Sequence, residues 1–405
     1  GNFSRENPKN MFFVPTKVRF QTLISSLPFS CINQRRSYVN VYMKWKKDSF
    51  FDSLEHIHKS PQLKRIVSLK NIILQNPNRC IPISDISKRG LEFDVKIRVA
   101  TFMRQYPAIF EEFKGPNYNL PWFRLTDQAL QIDEEEKRVQ QVRKKDLLLR
   151  LKKLILMSKK RVLPVKIIKG MLWYLGLPED FADDLGEDFA QKSDGFFRVL
   201  DLENGMKGLG AERDEKVQSF LQENALKRGT MEFPLFPSKG LRLKRKISYW
   251  LKEFQELAYL SPYEDFSGIN PDSDIGEKRV VGFFHELLCL FVDHSAERRK
   301  ILCLKKEFGL PQKMHKVFER HPYMFYLSLR NGTCSVILKE AYGNGCGMEK
   351  HPMVEVRKKY VELIMESEKI RERKRRKVCD QFVVEKQSSL DSAQSNGNLE
   401  ESSIN

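Results

Sequence analysis

An internal repeat constrains the fold of this chain more than any other feature of its sequence. Residues 69–74 read LKNIIL and residues 151–156 read LKKLIL. In both copies a proline, Pro82 or Pro164, stands thirteen residues after the first leucine. A chain that repeats such a pattern is expected to build the same supersecondary unit more than once.

The repeat continues with aromatic residues. A Pro-x-x-Phe motif begins at Pro107, Pro178 and Pro322, and a short apolar or aromatic run follows each one. The late copy also contains Leu310-Pro311, which we expect to open a helix. These observations predict three related units, which lie near residues 62–132, 146–203 and 280–342.

Each predicted unit begins with apolar residues at helical spacing, such as Leu147, Leu151 and Leu154. The proline that follows stands where a second helix can start without losing a needed backbone hydrogen bond. A short aromatic strand or hairpin completes the unit. The predicted fold is therefore mainly α with short β-hairpins, an α+β class, built from tandem helix–helix–strand units in an extended array. Spacing leaves two architectures open for the unit, a winged-helix-like fold and an array of helical hairpins.

The charge of the chain favours a nucleic-acid partner. It carries 71 lysines and arginines against 53 acidic residues, a formal net charge of +18. Phosphate backbones attract such surfaces through the release of counterions. The densest basic segment of the body lies in an insert near residues 231–262, where Trp250 is a candidate for stacking on an unpaired base. The candidate RNA-binding residues are Lys64, Arg65, Lys88, Arg89, Lys96, Arg98, Lys239, Arg242, Lys244, Arg245, Lys246 and Trp250.

Composition excludes several other classes of protein. With 41% hydrophobic and 11% aromatic residues the chain can build packed interiors, which excludes wholesale disorder. Charged residues interrupt every apolar run before it reaches the ~18 residues that a membrane span needs. The seven cysteines have no clustered spacing and do not indicate a disulfide framework, so a reducing compartment is expected.

The candidates for catalysis and for metal binding are weak. His294 follows His285 by nine residues, which does not return to the same helical face as the i, i+4 spacing of zinc motifs does. Cys80, Cys289 and Cys303 lie in apolar patterns typical of small buried side chains rather than of activated nucleophiles. The sequence contains no glycine motif for phosphate binding. We expect neither an enzyme, nor a metal site, nor a cofactor.

The two ends of the chain differ from its body. Residues 7–47 contain basic residues, serines and threonines but no acidic residue, a composition typical of an organellar transit peptide. We predict this transit peptide over residues 1–38, with processing beside Arg35-Arg36-Ser37-Tyr38. The charged and polar end, residues 367–405, is predicted to be disordered.

Several separated motifs carry a resemblance to a known family. In chain order they are WKKDSFFD at 45–52, LKRIVSLK at 63–70, WFRLT at 122–126, FPLFPSKGLRLK at 233–244 and SPYED at 261–265. On these motifs the chain resembles the plant organelle RNA recognition domain family over residues 42–366. The order of the motifs makes the resemblance specific, although none of them marks an RNA-contacting residue.

The resemblance implies a plant protein that is imported into an organelle, binds intron-containing RNA and promotes group II intron splicing. It further implies other splicing factors as partners, without a membrane or a small-molecule substrate. The two arginines before Ser37 favour the mitochondrion, and the chloroplast is the alternative. Two other interpretations stay open. One is a protein–protein adaptor in an organellar ribonucleoprotein, and the other is a nuclear DNA-binding factor, because residues 371–377 resemble a nuclear import signal.

Overall fold

The computed structural model describes the backbone of residues 47–400, apart from short segments, and side chains as far as residue 381. The segments outside the described residues are 116–119, 187–188, 190–192, 204, 213–216, 239–243, 331–333, 344–347 and 349. The predicted transit peptide, residues 1–38, also lies outside the described residues.

Three units with the same element order form the body of the protein. Two short helices, α1 (Ser49–Asp52) and α2 (Glu55–His58), precede them. Unit one consists of α3 (Ser60–Gln75), β1 (Cys80–Pro82), α4 (Ile83–Ile86), α5 (Val99–Arg104), β2 (Phe110–Lys114) and β3 (Pro121–Leu125). After the connecting helix α6 (Asp127–Val142), unit two consists of α7 (Lys144–Leu156), β4 (Val162–Pro164), α8 (Val165–Leu175), a 3₁₀ helix (Glu179–Ala182), β5 (Arg198–Asp201) and β6 (Lys207–Gly210).

The insert and the third unit complete the chain. Helix α9 (Phe220–Arg228) precedes the insert, and the insert contains α10 (Arg245–Glu256). Unit three consists of α11 (Asp274–Leu290), β7 (Ser295–Glu297), α12 (Arg298–Leu302), α13 (Lys316–Arg320), β8 (Phe325–Ser328) and β9 (Ser335–Leu338). A 3₁₀ helix (Lys339–Tyr342) and the long helix α14 (Pro352–Glu400) follow it. The protein is therefore mainly helical with small antiparallel sheets, as the sequence predicts.

The three sheets share one strand order. In each sheet the last strand of the unit lies in the centre, and the orders are β1-β3-β2, β4-β6-β5 and β7-β9-β8. All pairings are antiparallel. A first helix, a strand, further helices and a two-stranded wing in this order make a winged helix. The structure thus selects the winged-helix-like unit over the helical hairpin.

One turn geometry joins the first helix to the first strand in every unit. The residue before the strand has a left-handed backbone, with φ of 48° at Arg79, 52° at Arg161 and 46° at His294. Its N–H donates to the carbonyl three residues earlier, over 2.9, 3.1 and 3.0 Å respectively. Residues other than glycine adopt this conformation rarely. Its recurrence at equivalent places shows that the units repeat one backbone pattern.

The prolines of the repeat have the predicted role in units one and two. Pro82 ends β1 directly before α4, and Pro164 ends β4 directly before α8. In unit three Glu297 takes this position. The missing N–H of a proline costs nothing there, because the first amides of a helix have no partner within the helix.

One part of the predicted repeat alignment is wrong. Pro107 and Pro322 stand shortly before the wing strands β2 and β8, whereas Pro178 precedes the 3₁₀ helix of unit two and lies far ahead of β5. Leu310-Pro311 does not open a helix: it lies between two turns, and α13 begins only at Lys316. Pro178 therefore belongs with Pro311, in the segment that follows the second helix, rather than with Pro107.

Unit three lies at the centre of the described structure. Units two and three share one hydrophobic core, and unit one builds a second core with α14. Met353, Tyr360 and Ile364 of α14 are buried in this second core. Every residue of β7, β8 and β9 is buried, whereas β2 and β5 are mainly exposed.

The last helix extends further than the sequence predicts. α14 continues through the segment from residue 367 to residue 400, which is predicted to be disordered. Ser367 is buried, and its hydroxyl accepts a hydrogen bond from the Ala108 N–H over 3.1 Å. The side chains of residues 372–381 are exposed. Across the described part of the chain, no helix combines the length and the apolar character needed to cross a membrane.

Candidate RNA-binding surface

Units one and three meet through a network of charged side chains. The Lys64 ammonium donates to Glu297 Oε1 over 3.3 Å and to the Tyr174 hydroxyl of unit two over 2.9 Å. Arg299 Nε donates to the Glu297 carboxylate over 3.1 Å. Burial lowers the pKa of Lys64 to about 8. The structure thus gives Lys64 a structural role between the units, in place of the predicted RNA contact.

The loop between α4 and α5 presents other cations of unit one. Phe93 and Val95 are buried and anchor this loop on the core. The anchoring leaves Lys88, Lys96 and Arg98 exposed to solvent. Within the described residues these three side chains form no ion pair. Three charges without local partners are therefore available to an external anion.

Arg65 and Arg89 have acidic partners of their own. Arg65 Nη2 donates to Asp94 Oδ2 over 2.9 Å, and Arg89 Nε donates to Glu92 Oε2 over 2.6 Å. Both carboxylates are well exposed. Exposed ion pairs contribute little to stability, so each arginine can exchange its partner for a phosphate at small cost.

Cations of units one and three converge around Asp94. The hydrogen bond from Arg65 lowers the pKa of Asp94, and the charges of Arg299 and Lys96 contribute to the shift. Lys300 is exposed beside Arg299 on α12. We call these cations the basic junction surface. It consists of the half-buried Arg65 and the exposed Lys88, Arg89, Lys96, Arg98, Arg299 and Lys300.

The sequence prediction missed Arg299 and Lys300. Their only signal is the basic run at 298–300. This run is separated from Lys96 by about 200 residues of chain, and only the packing of α12 beside unit one brings the two together. A search for basic runs would have found the residues but not their partners.

A second basic group lies in the insert. Lys244, Arg245 and Lys246 are exposed at the start of α10. Two further predicted contacts, Lys239 and Arg242, lie outside the described residues. Cations at a helix N-terminus oppose the helix dipole. An anion bound at this end would therefore interact favourably with both the cations and the dipole.

The predicted stacking residue is not at the surface. Trp250 is only 7% exposed and packs against Phe254 and His321, with ring centroids 5.4 and 5.6 Å away. It belongs to the apolar face of α10 and cannot offer a ring face to a base. Tyr249, its neighbour, is 59% exposed and lies beside the Arg245 guanidinium. Tyr249 is thus the aromatic side chain of α10 that an unpaired base can reach.

Of the cysteine and histidine candidates, His285 and Cys289 lie in the interior, whereas Cys80 and His294 are partly exposed. Cys303 is exposed, so the buried position that its apolar surroundings in the sequence predict is wrong. His285 Nε2 is 2.8 Å from Glu340 Oε2, and Cys289 Sγ is 3.8 Å from His285 Nδ1. Burial raises the pKa of the Cys289 thiol well above its ordinary value. A buried neutral thiol is not an activated nucleophile. In the described portion of the chain, no group of three or more His, Cys, Asp or Glu side chains is arranged to hold a metal ion.

Comparison with known proteins identifies relatives along most of the chain. Arabidopsis thaliana "Protein WHAT'S THIS FACTOR 9, mitochondrial" is 56% identical over 377 residues, which cover 89% of this chain and 96% of the relative. Rice "Protein WHAT'S THIS FACTOR 1 homolog, chloroplastic" is 29% identical over 80% of this chain and 65% of its own length. Arabidopsis "Protein ROOT PRIMORDIUM DEFECTIVE 1" is 26% identical over 79% of this chain and 83% of its own length. No solved structure matches the chain.

The family match covers the three units, the insert and the first part of α14. Residues 46–369 match the family described as the plant organelle RNA recognition domain. This range begins just before α1 and ends two residues after the buried Ser367 of α14. The match and the Arabidopsis relative together confirm the resemblance seen in the motifs, and the chain belongs to the plant organelle RNA recognition domain family.

Proposed function

We propose that this protein binds intron-containing RNA in plant mitochondria and promotes group II intron splicing, with the basic junction surface as a main RNA contact. The observation that carries this proposal is the convergence of exposed cations from units one and three around Asp94. The family to which the chain belongs is one of RNA recognition. A surface of this kind binds phosphates largely without regard to sequence.

The protein is proposed to act by stabilising a fold of the RNA rather than by chemistry of its own. Neutralising phosphates where two RNA segments approach lowers their mutual repulsion, which favours a compact, splicing-competent fold. The buried position of Cys289 and His285 supports a role without catalysis, because these side chains are out of reach of a substrate. In this proposal the intron RNA supplies the reactive groups.

Two agreeing observations support a mitochondrial localisation. The acid-free, basic amino-terminal segment has the composition of a transit peptide. The Arabidopsis relative that is 56% identical carries a mitochondrial designation, whereas the rice relative at 29% identity is designated chloroplastic. The greater similarity to the mitochondrial relative favours the mitochondrion, in agreement with the prediction from Arg35-Arg36.

Other splicing factors are proposed as partners. Strand β5 is mainly exposed, and so are residues 372–381 of α14. These surfaces are free to contact other proteins while the basic junction surface holds RNA. This part of the proposal is separable from RNA binding, because a purified protein binds RNA with or without such partners.

The proposal is tested by sequencing the RNA that co-purifies with the tagged protein from isolated plant mitochondria and chloroplasts. An untagged line provides the background, and a variant with glutamine at Lys88, Lys96, Arg98, Arg299 and Lys300 provides the matched control. We expect intron-containing mitochondrial transcripts to be enriched with the wild type and depleted with the variant. Absence of RNA enrichment in both organelles would overturn the proposal in favour of the protein–protein adaptor.

A further inference from the structure

A groove of about 650 Å³ opens between units two and three, apart from the basic junction surface. One wall is the turn that joins α7 to β4, residues 158–161. The other wall is the loop at 262–271 together with the first turns of α11. The volume falls within the ~300–1,000 Å³ typical of sites that enclose a small ligand or one group of a larger one.

A buried arginine lines this groove without an acidic partner. Arg279 is 8% exposed, and its guanidinium carbon lies 3.4 Å from the centroid of the Phe266 ring. Its Nη2 donates to the Phe308 carbonyl over 3.3 Å. Among the described residues no carboxylate forms an ion pair with it. A buried charge that lacks a countercharge is costly, so the site favours an anion that enters from the groove.

The rim of the groove adds three exposed cations, Lys159, Lys160 and Arg161. Backbone hydrogen bonds hold them in place. The Lys159 N–H donates to the Glu307 carbonyl of unit three over 3.1 Å, and the Arg161 N–H donates to the Ser158 carbonyl over 3.1 Å. The cations are therefore presented by a fixed turn rather than by a mobile loop.

Two acidic side chains also line the groove, and both are engaged within the loop. Glu264 Oε2 accepts from the Ser261 N–H over 3.3 Å. Asp265 accepts from the N–H of Ser267 over 3.1 Å and from its hydroxyl over 2.7 Å. Their charges are partly satisfied by these donors. Four cations against two engaged carboxylates leave the groove attractive to an anion.

We propose that this groove binds a phosphate group of an unpaired RNA strand, with Arg279 at its base and Lys159, Lys160 and Arg161 at its rim. The inference rests on the proposed function, since it places a second RNA contact on the same protein. A duplex presents its phosphates on a stiff cylinder, and these cannot reach the guanidinium of a buried arginine at the base of a groove. A single strand or a loop can bend into the groove.

The first test replaces Lys159, Lys160 and Arg161 together with glutamine and measures the affinity for a single-stranded 20-nucleotide RNA over a series of salt concentrations. The matched control replaces Lys166, Lys227 and Lys252, three exposed cations outside the groove. We expect about a tenfold loss of affinity, and a decrease of about 2 in the slope of log K against log salt, only for the groove variant. Equal effects in groove and control variants would overturn the inference.

A second test addresses Arg279 and the source of the phosphate. Arg279→Lys keeps the positive charge but loses the planar guanidinium, whose paired N–H donors match the geometry of a phosphate. We expect the affinity for RNA to fall about threefold or more, with an unchanged circular dichroism spectrum. Hydrogen exchange is followed at 158–162 and 262–271 with RNA, with adenosine monophosphate and with inorganic phosphate. Protection by micromolar RNA supports the inference. Protection by free phosphate or the mononucleotide alone would replace it with a small-anion site.

The two proposals fail in different ways. If the wild-type protein binds no RNA, the proposed function itself is lost. If the wild type binds RNA and the groove variants bind it equally well, only the groove inference is overturned, and the basic junction surface keeps its role.

Discussion

The wings of units one and three occupy the same place in the same topology, yet one faces water and the other is buried. At one register position Arg124 pairs with Glu111 across the wing of unit one, and Ile337 pairs with Tyr326 across the wing of unit three. Arg124 forms an exposed ion pair with Glu111 over 2.8 Å. Ile337 is fully buried. Equal backbone topology therefore does not decide what a wing does.

The amino-terminal helices explain the burial of the third wing. Phe51 of α1 stacks on Tyr326 at a centroid distance of 4.9 Å. The Tyr326 hydroxyl donates to Asp52 Oδ1 over 3.0 Å, and Arg330 pairs with Glu55 over 2.7 Å. In the described structure these short helices lie against unit three and not against the wing of unit one. Unit three is thereby a structural centre, while unit one keeps a charged exterior.

The conserved turn geometry shows the same contrast. Arg79 and Arg161 are exposed in units one and two, whereas the Nδ1–H of His294 in unit three donates to the Leu288 carbonyl over 3.1 Å. Burial lowers the pKa of His294 to about 4. The backbone repeats in all three units, but only the exposed copies have cations that can contact a phosphate.

The largest expected effect comes from exchanging the wing residues between the units. Ile337→Arg places an unpaired charge against Phe51 and Ile57, so we expect the free energy of unfolding to fall by more than about 4 kcal/mol. Arg124→Ile, the reciprocal change on an exposed strand, should alter stability only slightly. Urea unfolding followed by circular dichroism measures both. If the Ile337→Arg variant does not fold, the milder Ile337→Val should still lower the free energy of unfolding by about 1 kcal/mol. Similar losses for the reciprocal pair would show that the two wings are not differently buried.

A smaller effect is expected from removing the cover of the third wing. Phe51→Ala loses the stack on Tyr326 and leaves a cavity, which we expect to lower the free energy of unfolding by about 3 kcal/mol. Phe50→Ala is the matched control, because the neighbouring Phe50 is 51% exposed. Thermal melting distinguishes the two variants. A Phe51 variant as stable as the Phe50 variant would mean that α1 does not cover unit three in solution.

The role of unit one in RNA binding is tested on the loop between α4 and α5. Replacing Lys88, Lys96 and Arg98 together with glutamine should weaken binding of single-stranded RNA about tenfold and reduce the salt slope by about 2, because three phosphate contacts are lost. Removing Lys166, Lys227 and Lys252 instead serves as the charge-matched control. Fluorescence anisotropy with a labelled intron fragment provides the affinity. If both triple variants lose affinity equally, net charge rather than the basic junction surface governs binding.

The smallest effect is a pH dependence that arises in unit three. Because the pKa of His294 is about 4 in the folded protein, below its ordinary 6.5, the histidine is neutral when folded and protonated when unfolded between these values. Its contribution to stability is complete above pH 6.5 and is lost as the pH falls towards 4, on the order of 1 kcal/mol for this partly exposed ring. His294→Asn, which tolerates a left-handed backbone, should flatten this part of the pH profile.

Urea unfolding at pH 7 and pH 5 measures the change, and Arg161→Asn at the equivalent turn should leave the pH dependence as it is in the wild type. An unchanged profile in the His294 variant would assign the dependence to other buried histidines, of which His56 and His321 also have lowered pKa values.

Local rules of sequence determined a large part of this structure. Apolar spacing and the positions of Pro82 and Pro164 predicted the helices of units one and two, because helix starts depend on residues close in the chain. The net charge and the ordered motifs predicted an RNA-binding family. The same rules misplaced Pro178, since a Pro-x-x-Phe motif suits both a helix start and the approach to a strand.

Tertiary structure alone decided which charged and aromatic residues are available to RNA. Lys64 has a structural role because Glu297 and Tyr174, from distant parts of the chain, bind its ammonium group. Trp250 is a core residue because His321 packs on it. Arg299 and Lys300 belong to the basic junction surface because α12, which carries them, packs beside unit one. Burial depends on contacts between segments far apart in sequence, so the pattern of a single helix or strand cannot determine it.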